Sequence, residues 1–204
     1  MYNPRMLQSI LSLDEELLIA ARGLVGPEYA LFVQILGESV VVFVAVMLIA
    51  LWLYGVKMKN NEYKKNSLRI FVTIIAVFVI YGIINLWVPQ WRPSPDDVAG
   101  WVAPLIPHPI GNSFPSGHAL FSAAALIGVW RYFRNSRVLI SLIILALVTT
   151  SARVIWGVHY PGDIVGGFFF GTIGALMLSK VVTSWVMEEK IYPFFIRVAR
   201  WIKL

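Results

Sequence analysis

The sequence predicts an all-α fold: a polytopic membrane helical bundle of about five transmembrane spans, with interfacial helices at its N- and C-terminal ends. Three observations carry this expectation. Of 204 residues, 58% are hydrophobic and 14% charged, and the mean hydropathy is +0.74, more apolar surface than one soluble core of this size can hide. The apolar residues gather in stretches near the roughly 20 residues that cross about 30 Å of hydrocarbon. No Pro, Gly or Ser-rich linker, low-complexity tract or internal repeat divides the chain, so residues 1–204 read as a single domain.

In chain order, residues 5–23 place Leu, Ile and Ala on a helical period opposite Asp14, Glu15, Glu16 and Arg22. That pattern suits a helix lying in the interface and is too polar to span. A thin cationic start and the interrupting acids argue against a cleavable signal peptide. Spans are expected at Ala30–Tyr54, Ile70–Val88, Ser116–Trp130, Val138–Ile155 and Pro161–Trp185. The third is short for the hydrocarbon, so it should continue through Tyr132 and Phe133 or begin above the membrane core. From Met187 to Leu204, Phe, Ile and Trp alternate with Lys190, Arg197, Arg200 and Lys203, the signature of a second interfacial helix on an anionic leaflet.

The cations set the orientation. Lys57, Lys59, Lys64, Lys65 and Arg69 follow the first span; Arg131, Arg134 and Arg137 follow the third; Lys180, Lys190, Arg197, Arg200 and Lys203 lie at the C-terminal end. All fall on one side, which the positive-inside tendency makes cytoplasmic, leaving Pro89–Pro115 and Trp156–Pro161 outside. The net charge of +6 is thereby explained by topology, and nucleic acid is not an expected partner. Two outer cations, Arg92 and Arg153, have no topological role, so a specific anion is expected to hold them. Cysteine is absent, which excludes disulfides, thiolate catalysis and Cys-based metal sites.

Three polar islands interrupt the apolar chain: Trp91-Arg92-Pro93, Phe114-Pro115-Ser116-Gly117-His118, and Arg153 with His159 and Asp163. In the second, Ser116 is placed to cap the third span, and Gly117 lets an anion approach backbone N–H groups at the positive end of a helix. Arg92 and Arg153 offer planar forks that match phosphate oxygens, with snorkelling to headgroups as the alternative for either alone. In the third island Asp163 follows His159 by four residues as a helix begins, with Pro161 in its first turn. The carboxylate can hold one imidazole tautomer and make the other nitrogen nucleophilic. Either histidine alone could simply anchor a turn. As a pair with opposite tasks they fit phosphoryl transfer, one attacking phosphorus and the other protonating the leaving oxygen.

This arrangement, Arg-Pro, then Pro-Ser-Gly-His, then Arg with His and Asp at fixed spacings, resembles the type 2 phosphatidic acid phosphatase superfamily over roughly Asn85 to Asp163. The resemblance implies metal-free hydrolysis of a phosphorylated lipid through a phosphohistidine and needs no cofactor. It casts His159 as nucleophile, Asp163 as its orienter and His118 as general acid, with Arg92, Ser116, Gly117 and Arg153 binding the phosphoryl oxygens. Two positions depart from the family pattern. Asn85 stands where the first motif begins with lysine, and Ala152 stands where serine precedes the third-motif arginine, with Ser151 one residue earlier and about 100° away on a helix. Exchanging a charge-assisted bond for a neutral one at Asn85 costs on the order of 1–2 kcal/mol, about tenfold in rate if felt in the transition state. Neither family role is carried to Asn85, Ala152 or Ser151.

The outward-facing site, the interfacial N-terminal helix and Leu105-Ile106-Pro107-His108 are similar to the bacterial undecaprenyl pyrophosphate phosphatase branch. That similarity implies a multi-pass protein of the cell membrane recycling a lipid carrier for cell-wall synthesis. Phosphatidylglycerophosphate, phosphatidic acid and lipid A phosphates are alternative substrates, and a noncatalytic lipid-phosphate binding or translocating protein is the alternative from another class. Among the remaining polar residues, Glu38 lies within the first span, either near Arg92 or Arg153 or as a neutral, hydrogen-bonded acid. His108, Asp96 and Asp97 are expected to be solvated. Trp87, Trp91, Trp101 and Trp156 read as an aromatic belt. Gly166, Gly167, Gly171 and Gly174 permit close helix approach, within the bundle or in a dimer; the sequence does not fix the oligomeric state.

Overall fold

The computed structural model describes residues 4–88, 93 and 111–201, with side-chain environments from residue 11 onward. Helix α1 runs Pro4–Arg22. Its Leu11, Leu13 and Leu17 are about half exposed, while Leu18 is buried against Val154 and Tyr160. One edge therefore docks on the bundle and the rest faces outward, the disposition of an interfacial amphipathic helix. Arg22, expected on its polar face, is instead buried and donates to the carbonyl of Val25 at 3.0 Å.

A 3₁₀ turn at Pro27–Tyr29 leads into α2, Ala30–Lys57. Helix α3, Asn61–Trp87, begins nine residues before the expected Ile70. The Asn60 side chain accepts the Glu62 N–H at 2.9 Å, so a capped polar first turn precedes the apolar part. Helix α4, Gly117–Gly128, continues into a π-helical turn at Val129–Phe133, as the shortness of the third span led us to expect. Helix α5 is Ser136–Trp156, capped by Asn135 accepting from Val138 at 3.1 Å. Helix α6 is Pro161–Val182, ending three residues before Trp185. After a π turn at Met187–Ile191 comes α7, Tyr192–Trp201, with Tyr192 and Ile196 buried and Phe194, Phe195 and Trp201 exposed.

Among the described residues, four segments are long and apolar enough to cross a bilayer: Pro27–Lys57, Asn61–Trp87, Ser136–Trp156 and Pro161–Val182. Helix α4 with its π turn is shorter, so four segments of full length stand against the five spans expected. Val40, Val44, Met47 and Leu51 form one stripe of α2 and pack against Ile70, Ile74 and Val77 of α3 and Leu120 and Ala124 of α4. Val42, Val46 and Ile49 on the far side of α2 are about 60% exposed. Apolar inside and outside alike is what a lipid solvent permits.

Helices α4 and α6 approach most closely. A Cβ on Gly167 would stand 2.6 Å from Ser116 O and Ala119 Cβ, and one on Gly171 2.6 Å from Leu120 O. Gly166 abuts the Phe114 ring and Gly174 faces Ile80. All four glycines thus serve packing within the bundle, which brings the start of α4 beside the start of α6. At the opposite end Arg69 of α3 clasps Glu188 with two 2.7 Å bonds, Nε to Oε1 and Nη2 to Oε2.

Candidate active site

The third island is built by a helix stop followed at once by a helix start. Helix α5 ends at Gly157, whose left-handed φ of 87° lets its N–H turn back to Val154 O at 2.9 Å. Val158 and His159 are carried across to Tyr160, the N-cap of α6, where Pro161 fits the first turn. Asp163 then lies in that turn with its carboxylate fully buried. Its Oδ2 accepts the Tyr160 N–H at 2.9 Å and faces His159 Nδ1 at 3.2 Å. The fourfold spacing becomes a carboxylate–imidazole pair because the helix begins between the two residues. Ser113 Oγ also donates to Asp163 Oδ2 and lies 3.3 Å from His159 Nδ1.

The second island joins the same cluster through the main chain, Ser116 N donating to Asp163 O at 2.9 Å. Ser116 occupies the N-cap position of α4 but makes no side-chain cap, which corrects that expectation. Its Oγ is buried without a hydrogen-bond partner among the described residues. Gly117 has room, since a Cβ there would meet Tyr81 only at 3.7 Å; packing does not demand glycine at this position.

Arg153, in the last turn of α5, is 3% exposed and its guanidinium stacks 4.7 Å from the Trp156 ring centroid. Trp156 is itself buried, so it supports the arginine and does not belong to an aromatic belt. Trp87 is 81% exposed and keeps that reading, whereas Trp91 and Trp101 lie outside the described residues. Glu38 of α2 accepts from Arg153 Nη1 at 3.1 Å through Oε1 and from His118 Nε2 at 3.0 Å through Oε2. The intramembrane acid anticipated near an arginine therefore bridges two islands.

A groove of about 770 Å³ begins at Gly117, His118, Arg153 and His159 and runs between α2 and α3 past Val44, Leu48 and Phe71. One end is polar and cationic and the remainder apolar, the shape of a phosphate seat with a hydrocarbon path attached. The departures also resolve. Asn85 Nδ2 donates to its own helix at Tyr81 O, 3.1 Å, and Asn85 O accepts from Asn112 Nδ2 at 2.7 Å. Ser151 is exposed beside Leu147 and Ile155, and Ala152 is buried, so neither supplies a hydroxyl here. Arg92, His108, Asp96 and Asp97 lie outside the described residues.

One functional neighbour was not singled out in the sequence, Ser113, and of the contacts of Glu38 the one to His118 was not foreseen. Ser113 sits one residue before the second island, where no motif spacing marks it. Glu38 could be found only as a charge in an apolar span.

A sequence profile of the PAP2 superfamily matches residues 66–187, the stretch that contains most of α3, all of α4 to α6 and both described islands. The chain belongs to the PAP2 superfamily. It is 36% identical over 136 residues to an undecaprenyl-diphosphatase, BcrC, of Bacillus subtilis strain 168, a match covering 67% of this chain and 66%, a little under two thirds, of that relative. A putative undecaprenyl-diphosphatase, YbjG, of Escherichia coli K12 is 26% identical over 83% of this chain and 79% of its own length. The crystal structure of a transmembrane PAP2-type phosphatidylglycerolphosphate phosphatase from Bacillus subtilis superposes with a TM-score of 0.66, covering 85% of each chain at 19% identity; that likeness concerns the fold. This PAP2 protein is accordingly a multi-pass integral membrane protein of a lipid phosphatase family, as its motifs led us to expect.

Proposed function

We propose that this PAP2 protein removes the terminal phosphate of a polyprenyl diphosphate, undecaprenyl diphosphate first among them, at the outer face of the cell membrane and without a metal ion. The observation that carries the reading is the convergence of His159, its Asp163 partner, His118 and Arg153 at the polar end of an apolar groove. The substrate preference draws on the resemblance to undecaprenyl-diphosphatases. The outward orientation draws on the placement of the thirteen cations away from the islands.

With the Nδ1 hydrogen held by Asp163, the lone pair of His159 lies on Nε2. Nε2 attacks the terminal phosphorus in line, the bridging P–O bond breaks, and His118 donates a proton to the departing lipid phosphate. Water then attacks the phosphohistidine while His118 takes the water's proton, and inorganic phosphate leaves. Arg153, Arg92, the buried Ser116 hydroxyl and the backbone at Gly117 hold the non-bridging oxygens as charge develops on them. A monophosphorylated lipid such as phosphatidylglycerophosphate or phosphatidic acid offers the same terminal group, so chemistry at phosphorus does not discriminate among these lipids.

The test is phosphate release by purified protein in detergent with chelator present, comparing undecaprenyl diphosphate, phosphatidic acid and phosphatidylglycerophosphate. Turnover should survive chelation, be fastest with the diphosphate, and disappear in His159→Ala. Lipid binding with no turnover would replace the reading by a noncatalytic lipid-phosphate binder.

A further inference from the structure

The two histidines of the site are each met by a carboxylate, but on opposite nitrogens. Asp163 faces Nδ1 of His159, and Glu38 faces Nε2 of His118. A carboxylate accepts only, so the imidazole nitrogen it touches carries the hydrogen. For His159 that leaves Nε2 to bond phosphorus. For His118 it assigns the hydrogen on Nε2 to Glu38 and leaves Nδ1 as the nitrogen that exchanges a proton with substrate.

The position of Glu38 is built from both sides. Gly37 is small enough for Arg153 to lie against α2, a Cβ there meeting Arg153 Cδ at 3.4 Å and Trp156 Cε3 at 3.6 Å. One turn deeper in α5, Thr149 Oγ1 donates to Leu36 O at 3.1 Å, lies 3.0 Å from Ser39 Oγ and accepts from Val40 N at 3.1 Å. The residues on both sides of Glu38 are thus fixed to the helix that carries Arg153. Arg153 neutralises Oε1 and His118 occupies Oε2, which accounts for a carboxylate in the first membrane span.

We propose that Glu38 is a positioning residue for His118, holding Nε2–H so that Nδ1 delivers the proton to the leaving oxygen and later recovers one from the attacking water. The inference rests on the phosphohistidine reading above. Proton balance is kept by His118 alone: its Nδ1 proton goes to the oxygen as the P–O bond breaks, and a proton from water returns when the P–N bond is cleaved. Glu38 keeps its hydrogen bond throughout and is not consumed.

A residue acting through the general acid matters most where the leaving group needs a proton. Full-length protein carrying Glu38→Gln, Glu38→Asp, His118→Asn or Glu38→Gln with His118→Asn is assayed on an alkyl phosphate and on 4-nitrophenyl phosphate. Orthovanadate inhibition reports whether the phosphate seat is intact. We expect Glu38→Gln to lower kcat about 100-fold on the alkyl ester, the lower end for general acid–base contributions, and less than about fivefold on the nitrophenyl ester. Vanadate affinity should be held within about threefold, and Glu38→Asp should recover part of the alkyl ester rate. In the His118→Asn background Glu38→Gln should add little, because the two act as a unit. Equal losses on both esters, or losses that multiply in the double variant, would overturn the proposal while leaving the phosphohistidine reading in place. A wild-type protein that releases phosphate from neither ester nor lipid would remove both.

Discussion

Ser113 gives its hydroxyl hydrogen to the same Asp163 oxygen that faces His159 Nδ1 at 3.2 Å. Asp163 Oδ2 thus gathers Ser113, His159 and the Tyr160 N–H, at 2.9 Å, in a site where Ser113 and Asp163 are wholly buried. The carboxylate is clamped from the chain segment before α4 as well as from its own helix. Ser113→Ala removes a bond to an ionised group, an interaction of about 1.5–3 kcal/mol. Part of that loss should reach the transition state as a looser imidazole. The expected outcome is a fall in kcat of about tenfold with KM little changed, measured by phosphate release from the preferred lipid. Unchanged kcat would assign Ser113 a purely structural part.

What the sequence made legible was set by chain-local geometry. His159 and Asp163 meet because the first turn of α6 starts between them, and Pro161 and Gly157 mark where that turn starts and the previous helix stops. Ser113 and Thr149 could not be placed, and Glu38 only as an acid either near Arg92 or Arg153 or neutral in its span, because their contacts reach 50 to 115 residues along the chain. Such contacts depend on how helices rotate and tilt against one another. The first turns of α3 were missed because Glu62, Lys64 and Lys65 hide a helix start from a hydropathy window. Trp156 misled for the opposite reason: an aromatic at a helix end suits a membrane interface, yet it lies three residues after Arg153 in the same helix, beneath the guanidinium and packed with Val33 of α2.

The closeness of α4 and α6 gives a test of the scaffold. Gly167→Ala places a methyl 2.6 Å from Ser116 O and Ala119 Cβ, both of which are constrained by α4. Overpacking of this kind costs about 1–3 kcal/mol, so Tm should fall by roughly 3–10 °C for a chain of this size, and activity should fall with it as Ser116 is displaced. Gly82→Ala in α3 is the control: nothing lies within 4 Å of its Cβ, and alanine is about 0.5–1 kcal/mol better in a helix, so Tm should hold or rise. Thermal unfolding in a single detergent compares the two.

Glu188 ties the segment after α6 to α3 at the end remote from the site. Its hydrogen bonds from Arg69, opposed by partial burial and reinforced by the charges of Arg69 and Lys65, hold its carboxyl below the usual range. A depressed folded value means the folded state favours the ionised form. The stabilisation is fully present above the unfolded value near pH 4.3 and disappears as pH falls through the lower folded value. Glu188→Gln should therefore lower Tm by about 2–4 °C at pH 7, corresponding to about 1 kcal/mol. The difference from wild type should close in acid. A gap that persists at low pH would locate the effect in packing instead of charge.

Asp14 has the opposite sign. It reaches from helix α1 to the start of α6, accepting the Gly162 N–H at 2.7 Å one residue before Asp163. Burial pushes its carboxyl above the ordinary aspartate range, the Gly162 N–H pulls it back, and the charges of Asp163 and Glu15 add to the rise. Because the folded state binds this proton more tightly than the unfolded chain, ionised Asp14 costs stability at neutral pH. That cost is relieved as pH falls through the folded value toward about 4. Asp14→Asn keeps an oxygen for Gly162 and removes the charge beside Asp163. Its Tm should exceed wild type by about 1–3 °C at pH 7, and the advantage should vanish below about pH 4. A lower Tm at pH 7 would mean that the ionised carboxylate at the α6 N-terminus, favoured there by the helix dipole, outweighs its desolvation. Phosphate release by Asp14→Ala, which does remove the Gly162 contact, reports whether α1 merely rests on the turn that carries Asp163 or holds it, since that loss would loosen Asp163 and lower kcat without altering lipid binding.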